Sequence, residues 1–177
     1  MSVAERLPWP IRGDRVVLTS LREDDADEML AVLASPDLYA FTGGGPPTLD
    51  MLRRRYAAMV VGHSPDGEQE WLNWVIRLKG AGQAAVGVVQ ATLPRKGDRA
   101  EVAWIVGADQ QGHGYASEAA AAMVHALIEA GVRCVDAHIH PRHTASEAVA
   151  RRCGMTPTEE FHEGERRWEW CWEHRET

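Results

Sequence analysis

The amino-acid sequence predicts a mixed α/β fold, in which helices cover both faces of a mixed sheet. Three observations predict it: strand-like and helix-like segments are interleaved, three strand-like segments follow one another in mid-chain, and a strand–helix–strand unit comes next. Strands joined by short turns pair antiparallel, whereas strands joined through a helix lie parallel. At 177 residues the chain is expected to form a single domain, residues 1–177, with its core over about 12–173.

The first part of the chain predicts one strand and two helices. Asp14–Leu21 has an apolar, β-branched centre, which is typical of a strand. From Ala26 to Leu33 the apolar residues recur at helical spacing. The glycines and prolines of Gly43–Pro47 then interrupt the chain, and Thr48 can cap a second helix.

The middle of the chain predicts three strands and then the strongest helix. The strands are WLNWVIRLK, QAAVGVVQATL and AEVAWIV, and they are separated by turns rich in glycine and charge. The helix stops near Gly131, because glycine commonly follows a helix end. One apolar stripe runs along it: Ala116, Ala119, Ala120, Met123, Val124 and Leu127.

The last part predicts a strand, a short helix and a hairpin. RCVDAHIH is typical of a strand, and TASEAVARRC predicts a helix closed by Gly154. FHEGERRWEWCWE predicts a hairpin that turns at Glu163 and Gly164. Its second strand places three tryptophans on one face: Trp168, Trp170 and Trp172. The chain therefore contains seven predicted strands.

Composition excludes several classes of protein. Apolar residues make up 45% and charged residues 25%, as in an ordinary soluble globular protein. No apolar run approaches the ~18 residues of a membrane span, and the N-terminal MSVAERLPWP carries charge and proline where a signal peptide is apolar. A net charge of −7 argues against a nucleic-acid surface and is compatible with a cationic partner. We therefore expect a cytoplasmic protein that binds neither nucleic acid nor membrane.

The cysteines support the same compartment. Cys134, Cys153 and Cys171 are odd in number, widely spaced and without a C-x-x-C pair. This pattern indicates reduced thiols and argues against a disulfide framework or a zinc site.

The stretch DQQGHGYASEAAAAMVHAL places two glycines, Gly112 and Gly114, immediately before the strongest helix. The first N–H groups of a helix have no intrahelical partner and lie at its positive end, so a pyrophosphate can bind where side chains are missing. The alternative is that the glycines serve only the dihedral angles of the turn. A Walker loop is excluded because G-K-[ST] is absent, and Ser117 occupies the third glycine position of a dinucleotide motif.

QQGHGYASEA resembles the coenzyme A pyrophosphate loop of the GNAT acyltransferases, Gln/Arg-x-x-Gly-x-Gly/Ala, which is matched by Gln111, Gly114 and Ala116. AEVAWIV stands where that family has its fourth strand, and HPRHTASEAVARRCGM is similar to the family's His/Asp-Pro-x-Asn-x-x-Ser segment. G-Y-A-x-E-A is closest to the Rim-type branch, which includes ribosomal-protein N-terminal acetyltransferases. The resemblance implies a mostly antiparallel, twisted, seven-stranded sheet whose fourth and fifth strands splay apart.

The resemblance also implies acetyl-CoA as co-substrate, with its pantetheine arm in the gap between the splayed strands. The exposed backbone of Trp104, Ile105 and Val106 would pair with the arm, and an N–H near Val106 would stabilise the oxyanion. Two further residues lie at the start of the last helix, where Ser146 matches the family pattern and His143 departs from it. His143 stands in place of the usual asparagine, and Ser146 either contacts the cofactor or supports the helix. The pyrophosphate would bind one continuous segment: Gln111, Gly112, His113, Gly114, Tyr115 and Ala116.

Two residues are candidates for proton transfer. Glu101 occupies the position where histone-acetylating members carry their general base, although it can also be an edge carboxylate or an arginine partner. His138 lies on one strand face with Asp136 and His140, and an imidazole suits the role of base or relay. The run H-x-H-x-x-H lacks a recognisable ligand geometry, so no metal is expected. Many relatives carry a tyrosine that protonates the departing coenzyme A thiolate, and this chain has Ala150 at that position. The thiolate would therefore leave unaided or take a proton from water.

The acceptor end is the least informative part of the sequence. Tyr39, Phe41 and Trp74 are candidate liners of the acceptor site, with core packing as the alternative. The acceptor itself is expected to be a small-molecule amine or a peptide N-terminus. Ala150 and His143 also allow a non-catalytic acyl-CoA-binding module, and a nucleotide-binding α/β domain is a third alternative. Edge strands and an apolar tail permit a homodimer.

Overall fold

The computed structural model describes residues 1–172, and these contain five α-helices and eight strands. The helices are α1 (Val3–Arg6), α2 (Asp25–Val32), α3 (Leu49–Met59), α4 (Tyr115–Glu129) and α5 (Thr144–Arg152). The strands are β1 (Ile11–Arg12), β2 (Val16–Ser20), β3 (Gln69–Leu78), β4 (Ala85–Pro94), β5 (Arg99–Val106), β6 (Cys134–Ile139), β7 (Thr156–His162) and β8 (Glu165–Cys171). None of the helices in residues 1–172 combines the length and the apolar character that crossing a bilayer requires.

All eight strands form one sheet, in the order β1-β2-β3-β4-β5-β6-β8-β7. β5 and β6 pair parallel, and the other neighbours pair antiparallel. This arrangement confirms the predicted mixed α/β class. The predicted count of seven strands is one too few, because Ile11–Arg12 pairs with β2 and two residues are too short to show a periodicity. The predicted fourth and fifth strands are therefore β5 and β6.

The side chains of β5 alternate between the two faces of the sheet. On one face lies the larger core, which includes α4 and receives every second residue of the strand: Ala100, Val102, Trp104 and Val106. On the other face Ile105 packs against the smaller core beneath α2 and α3. Glu101 and Ala103 share this second face, yet both are exposed. An exposed alanine in the middle of a central strand means that the helices leave part of this face open.

β5 and β6 are paired only where they begin. The paired residues are Arg99 with Cys134, Ala100 with Val135 and Glu101 with Asp136. Beyond this point β5 continues to Val106, where it is still paired with β4, but no described strand pairs with its other side. The predicted splay is confirmed, and it leaves the backbone of β5 after Glu101 open toward β6.

The end of the described chain forms the predicted hairpin of β7 and β8. The turn is made by Glu163 and Gly164, which both have positive φ angles, of 50° and 86°. Trp168 is buried in the larger core and Trp170 packs against it, whereas Trp172 is exposed. Trp168 and Trp170 of β8 therefore close the core, whereas Trp172 follows the end of the strand.

The expectation of three reduced thiols is wrong, because Cys134 and Cys171 form a disulfide. The two residues are direct partners across β6 and β8, and their Cα atoms are 4.1 Å apart. Strand register brings them together over a separation of 37 residues, which their spacing alone cannot reveal. Cys153 remains free, and burial raises the pKa of its thiol to about 12.

Candidate functional site

The predicted pyrophosphate loop connects β5 to α4 and leaves a run of backbone amides unpaired. Gly112 and Gly114 have φ angles of +79° and +81°, in the left-handed region that favours glycine. Their conformation turns the chain so that the N–H groups from Gly112 to Ser117 carry no hydrogen bond to any described residue. These amides lie at the N-terminal, positive end of a 15-residue helix. The loop is therefore built to receive an anion through its main chain.

The side chains of the loop hold its shape. The Gln111 side-chain nitrogen donates to the Val106 carbonyl at 3.1 Å, which ties the loop to the end of β5. The rings of His113 and Tyr115 stack with their centroids 5.4 Å apart, and Nδ1 of His113 lies 3.2 Å from the Gln110 carbonyl oxygen. Tyr115 and Ala116 pack against the larger core. The side chains of Gln111, His113, Tyr115 and Ala116 thus support the loop, while the backbone N–H groups of His113, Tyr115 and Ala116 remain unpaired.

A second group of predicted cofactor residues meets across the gap between β5 and β6. The Trp104 indole N–H donates to the Ser146 hydroxyl at 3.3 Å, which links β5 to the first turn of α5. His143 is the N-cap of α5, because its Nδ1 accepts the Ser146 backbone N–H at 3.2 Å. Burial lowers the pKa of His143, so the neutral ring that this cap requires is favoured. The ring of Phe41 covers His143, with centroids 4.6 Å apart.

Glu101 and His138 face each other at the point where the strands separate. The Glu101 Oε1 atom and the His138 Nδ1 atom are 3.5 Å apart, and Glu101 is the more exposed of the two. Both side chains lie on the open face of the sheet. The structure thus brings together the two residues that the sequence offered separately for proton transfer.

Asp136 lies beside this pair, but its carboxylate forms ion pairs with two arginines. Its carboxylate accepts from Arg99 at 3.0 Å and lies 3.9 Å from Arg167. Ligand atoms of Glu101, Asp136 and His138 fall within 4.8 Å of one another, a grouping that differs from the H-x-H-x-x-H run of the sequence. The two arginines already balance the buried Asp136 charge, so the cluster is explained as an ion-pair network.

The open face next to Glu101 continues as a shallow depression. Its residues come from the end of α3 and from two strands: Met59, Trp71, Asn73, Gln90 and Thr92. Thr92 is the cross-strand partner of Glu101, and Gln90 is the partner of the exposed Ala103. Residue alternation from Glu101 identifies Ala103, but only strand register shows which residues of β3 and β4 lie beside it.

The three predicted acceptor residues have different positions. Phe41 lies at the site, against His143 and His140. Tyr39 donates its hydroxyl to the Leu33 carbonyl at 2.9 Å, so its polar group supports the end of α2. Trp74 is fully buried in the larger core, on the face opposite Glu101, and stacks on the exposed ring of Trp9. The structure therefore moves Trp74 from the predicted acceptor site to the core, because its strand position points it toward α4.

Residues 15–156 match the family model described as an acetyltransferase (GNAT) domain. No curated protein sequence matches the chain.

Several solved structures share its fold at low sequence identity. A GNAT-family acetyltransferase from Bacillus anthracis is 19% identical, with a TM-score of 0.75 over 92% of this chain and 98% of its own. The ribosomal L7/L12 alpha-N-protein acetyltransferase RimL, solved with coenzyme A, is 17% identical, with a TM-score of 0.75 over 92% and 97%. The microcin C7 self-immunity acetyltransferase MccE, solved with acetyl-CoA and AMP, is 16% identical, with a TM-score of 0.69 over 90% and 93%.

Proposed function

The chain belongs to the GNAT acetyltransferase family, and from that premise we propose that it transfers an acetyl group from acetyl-CoA directly to a primary amine. The amine belongs to a small molecule or to a protein N-terminus. The observation that carries the proposal is the run of unpaired amides from Gly112 to Ser117, which stands directly beside the gap between β5 and β6.

The donor half of the site follows from this run of amides. A diphosphate accepts hydrogen bonds from several N–H groups at once, and the positive end of α4 favours its charge. With the diphosphate on the loop, the pantetheine arm extends into the gap and pairs with the open backbone of Trp104 to Val106. His143 and Ser146 border the same gap from α5. The thioester then lies near the point where β5 and β6 separate.

The reaction requires that the amine lose a proton before it attacks. An alkyl amine has a pKa of ~10, so at neutral pH most of it is charged and cannot act as a nucleophile. Glu101 accepts that proton and can pass it to His138, whose Nδ1 lies 3.5 Å from the Glu101 Oε1 atom. The neutral nitrogen then forms a bond to the thioester carbon, and an N–H near Val106 stabilises the oxyanion. The attacking nitrogen now carries a positive charge, and its second proton passes to solvent as the amide forms.

Collapse of the tetrahedral intermediate breaks the carbon–sulfur bond. The leaving thiolate has a conjugate acid with a pKa near that of cysteine, ~8.5, so it is a competent leaving group and takes its proton from solvent. Ala150, which replaces a tyrosine acid, is fully buried and has no proton to give. Proton supply by solvent is therefore part of the proposal.

The acceptor enters from the open face of the sheet. The exposed Ala103 forms the floor of this approach, and the depression beside it provides amide, hydroxyl and indole groups from Asn73, Gln90, Thr92 and Trp71. An amine bound there lies on the same face as Glu101. The similarity to RimL supports including peptide N-termini among the candidate acceptors.

The test is an acetyl-transfer assay with a panel of acceptors. The protein is incubated with acetyl-CoA and, separately, with peptides, amino-acid amides and polyamines, while a thiol-reactive dye follows release of coenzyme A. We expect release that depends on both enzyme and amine, and mass spectrometry should find the acetyl group on nitrogen. Tight binding of coenzyme A without amine-dependent release would instead indicate an acyl-CoA-binding module. Absence of any coenzyme A binding would refute the proposal.

A further inference from the structure

Arg15 and Glu118 are far apart in the sequence and meet beside the loop. Arg15 lies just before β2, and Glu118 lies in the first turn of α4. The Glu118 carboxylate accepts the backbone N–H groups of Arg15, at 2.6 Å, and of Val16, at 3.1 Å. It also accepts Nε of the Arg15 guanidinium at 2.9 Å. One carboxylate thus joins the start of β2 to the helix that carries the loop.

Glu118 is charged in this position. Burial raises the pKa of its carboxyl, but the hydrogen bonds from the backbone and side chain of Arg15 outweigh burial and hold the pKa below its ordinary value. The side chain is largely buried, with 17% exposed, whereas that of Arg15 is 55% exposed. Glu118 is therefore a fixed, negatively charged partner that holds a guanidinium facing solvent.

The guanidinium is directed at the loop. Its Nη1 donates to the His113 carbonyl at 2.9 Å, and its central carbon lies 5.0 Å from the centroid of the Tyr115 ring. Its Nη2 lies 3.4 Å from the point that a β-carbon on Gly114 would occupy. No described residue accepts a hydrogen bond from Nη2. Nη2 is thus a hydrogen-bond donor without an acceptor in the described chain, and it lies next to the unpaired amides.

The loop itself contains no lysine or arginine between Gln111 and Ala116. Its amides and the helix end offer only partial positive charge, about half an elementary charge at a helix N-terminus. A diphosphate carries full negative charges, and a guanidinium is the side chain best suited to bind them. Arg15 is the full cation that the structure places at this loop.

We propose that Arg15 is a second anchor for the cofactor's diphosphate, and that Glu118 is the positioning residue that aims it. This inference rests on the proposed function, because it assumes that coenzyme A occupies the loop. Arg15 contributes twice: it holds the His113 carbonyl so that the amides stay turned outward, and it donates Nη2 to a phosphate oxygen.

The first experiment compares two thioesters in parent and Arg15→Gln proteins. Acetyl-CoA has the diphosphate, whereas the acetyl thioester of pantetheine lacks it. We expect Arg15→Gln to raise KM for acetyl-CoA roughly tenfold or more while kcat changes little, because a charge-assisted hydrogen bond is lost. The rate with acetyl-pantetheine should stay at the parent value. Arg15→Lys should recover only part of the affinity, because an ammonium cannot bond Glu118, His113 and a phosphate together.

The second experiment tests whether Glu118 acts by positioning Arg15 or only through its own negative charge. In Glu118→Gln the side-chain oxygen still accepts the two backbone N–H groups, but the amide nitrogen faces Nε of Arg15, and two donors cannot bond. If Glu118 acted only through its negative charge, its removal would tighten binding of an anion. We expect weaker coenzyme A binding by calorimetry, and no further loss when Arg15→Gln is added to Glu118→Gln.

The matched control is Arg54→Gln, because Arg54 is an exposed arginine whose partner, Asp50, lies within α3. It should leave both thioesters unaffected. Equal losses with acetyl-CoA and acetyl-pantetheine, or parent-like coenzyme A affinity in Arg15→Gln, would overturn the inference, and so would tighter binding by Glu118→Gln. A parent protein that binds no coenzyme A would refute the proposed function instead, so the two failures are distinguishable.

Discussion

The two halves of the proposed site, on either side of the gap between β5 and β6, differ in the groups that form them. The proposed cofactor half consists mainly of main chain, namely the open edge of β5 and the amides from Gly112 to Ser117, with the Arg15 side chain beside them. The acceptor half is made of side chains from separate strands, with Glu101 on β5, His138 on β6 and Gln90 on β4. A main-chain site depends on local conformation, whereas a side-chain site depends on strand register. Substitutions should therefore act differently in the two halves.

The largest expected effect is the loss of stability when the disulfide that links β6 to β8 is removed. Its loss should lower the free energy of unfolding by about 4 kcal/mol, because a loop of 37 residues gains that much freedom in the unfolded chain. Urea denaturation of the Cys134→Ser/Cys171→Ser protein measures the change. Cys153→Ser is the control, since its thiol is outside the bond. A midpoint that is the same with and without reductant would mean that no disulfide forms.

The next effect tests the chemistry of the acceptor half. Glu101→Gln should lower kcat about 100-fold, because a positioned general base contributes at least that much. Coenzyme A affinity should stay unchanged, since Glu101 lies outside the groups proposed to hold the cofactor. Glu129→Gln serves as the matched control, because Glu129 is an exposed carboxylate at the C-terminal end of α4 and also lies beside a histidine, His125. Equal rates for mutant and parent between pH 6 and 9 would exclude Glu101 as the base.

The pyrophosphate loop, residues 111–116, should respond to bulk at its glycines more than to the loss of its own side chains. Gly114→Val places a β-branched residue at a φ angle of +81°, so the loop must change shape and coenzyme A affinity should fall roughly tenfold. His113→Ala should change affinity by much less, because the His113 amide remains. Calorimetry with coenzyme A compares the two. A larger loss from His113→Ala would contradict the main-chain account of the loop.

The smallest effect concerns pH and the cap of α5. The folded pKa of His143 is lowered by burial, so the unfolded chain binds its proton first as pH falls below the ordinary value of 6.5. Stability from the neutral cap is therefore present above pH 6.5 and is lost as pH falls toward the lower, folded pKa. His143→Asn keeps a cap that does not titrate. Thermal unfolding from pH 7.5 to 5 should show a flatter profile for this variant, and identical profiles would refute the assignment.

The predictions from sequence succeeded where chemistry is local. The glycines before α4, the caps and the hairpin turn at Glu163 and Gly164 each depend on a few adjacent residues, and the structure has them where the pattern placed them. Trp74 was misplaced because an aromatic in a strand points to one of two faces, and the pattern does not say which face is open. Arg15 was missed for a related reason, since its partner Glu118 lies 103 residues away.

The sequence by itself therefore determined the order of helices and strands from β2 to β8, the glycine turn that frees the amides of the loop, and the candidate proton acceptors Glu101 and His138 as separate residues. Only the tertiary structure decided that these two face each other, that Cys134 meets Cys171 and that Arg15 reaches the loop. The physical reason is that backbone conformation responds to neighbours along the chain, whereas contacts between side chains on different strands are set by pairing register and by the point at which β5 and β6 separate.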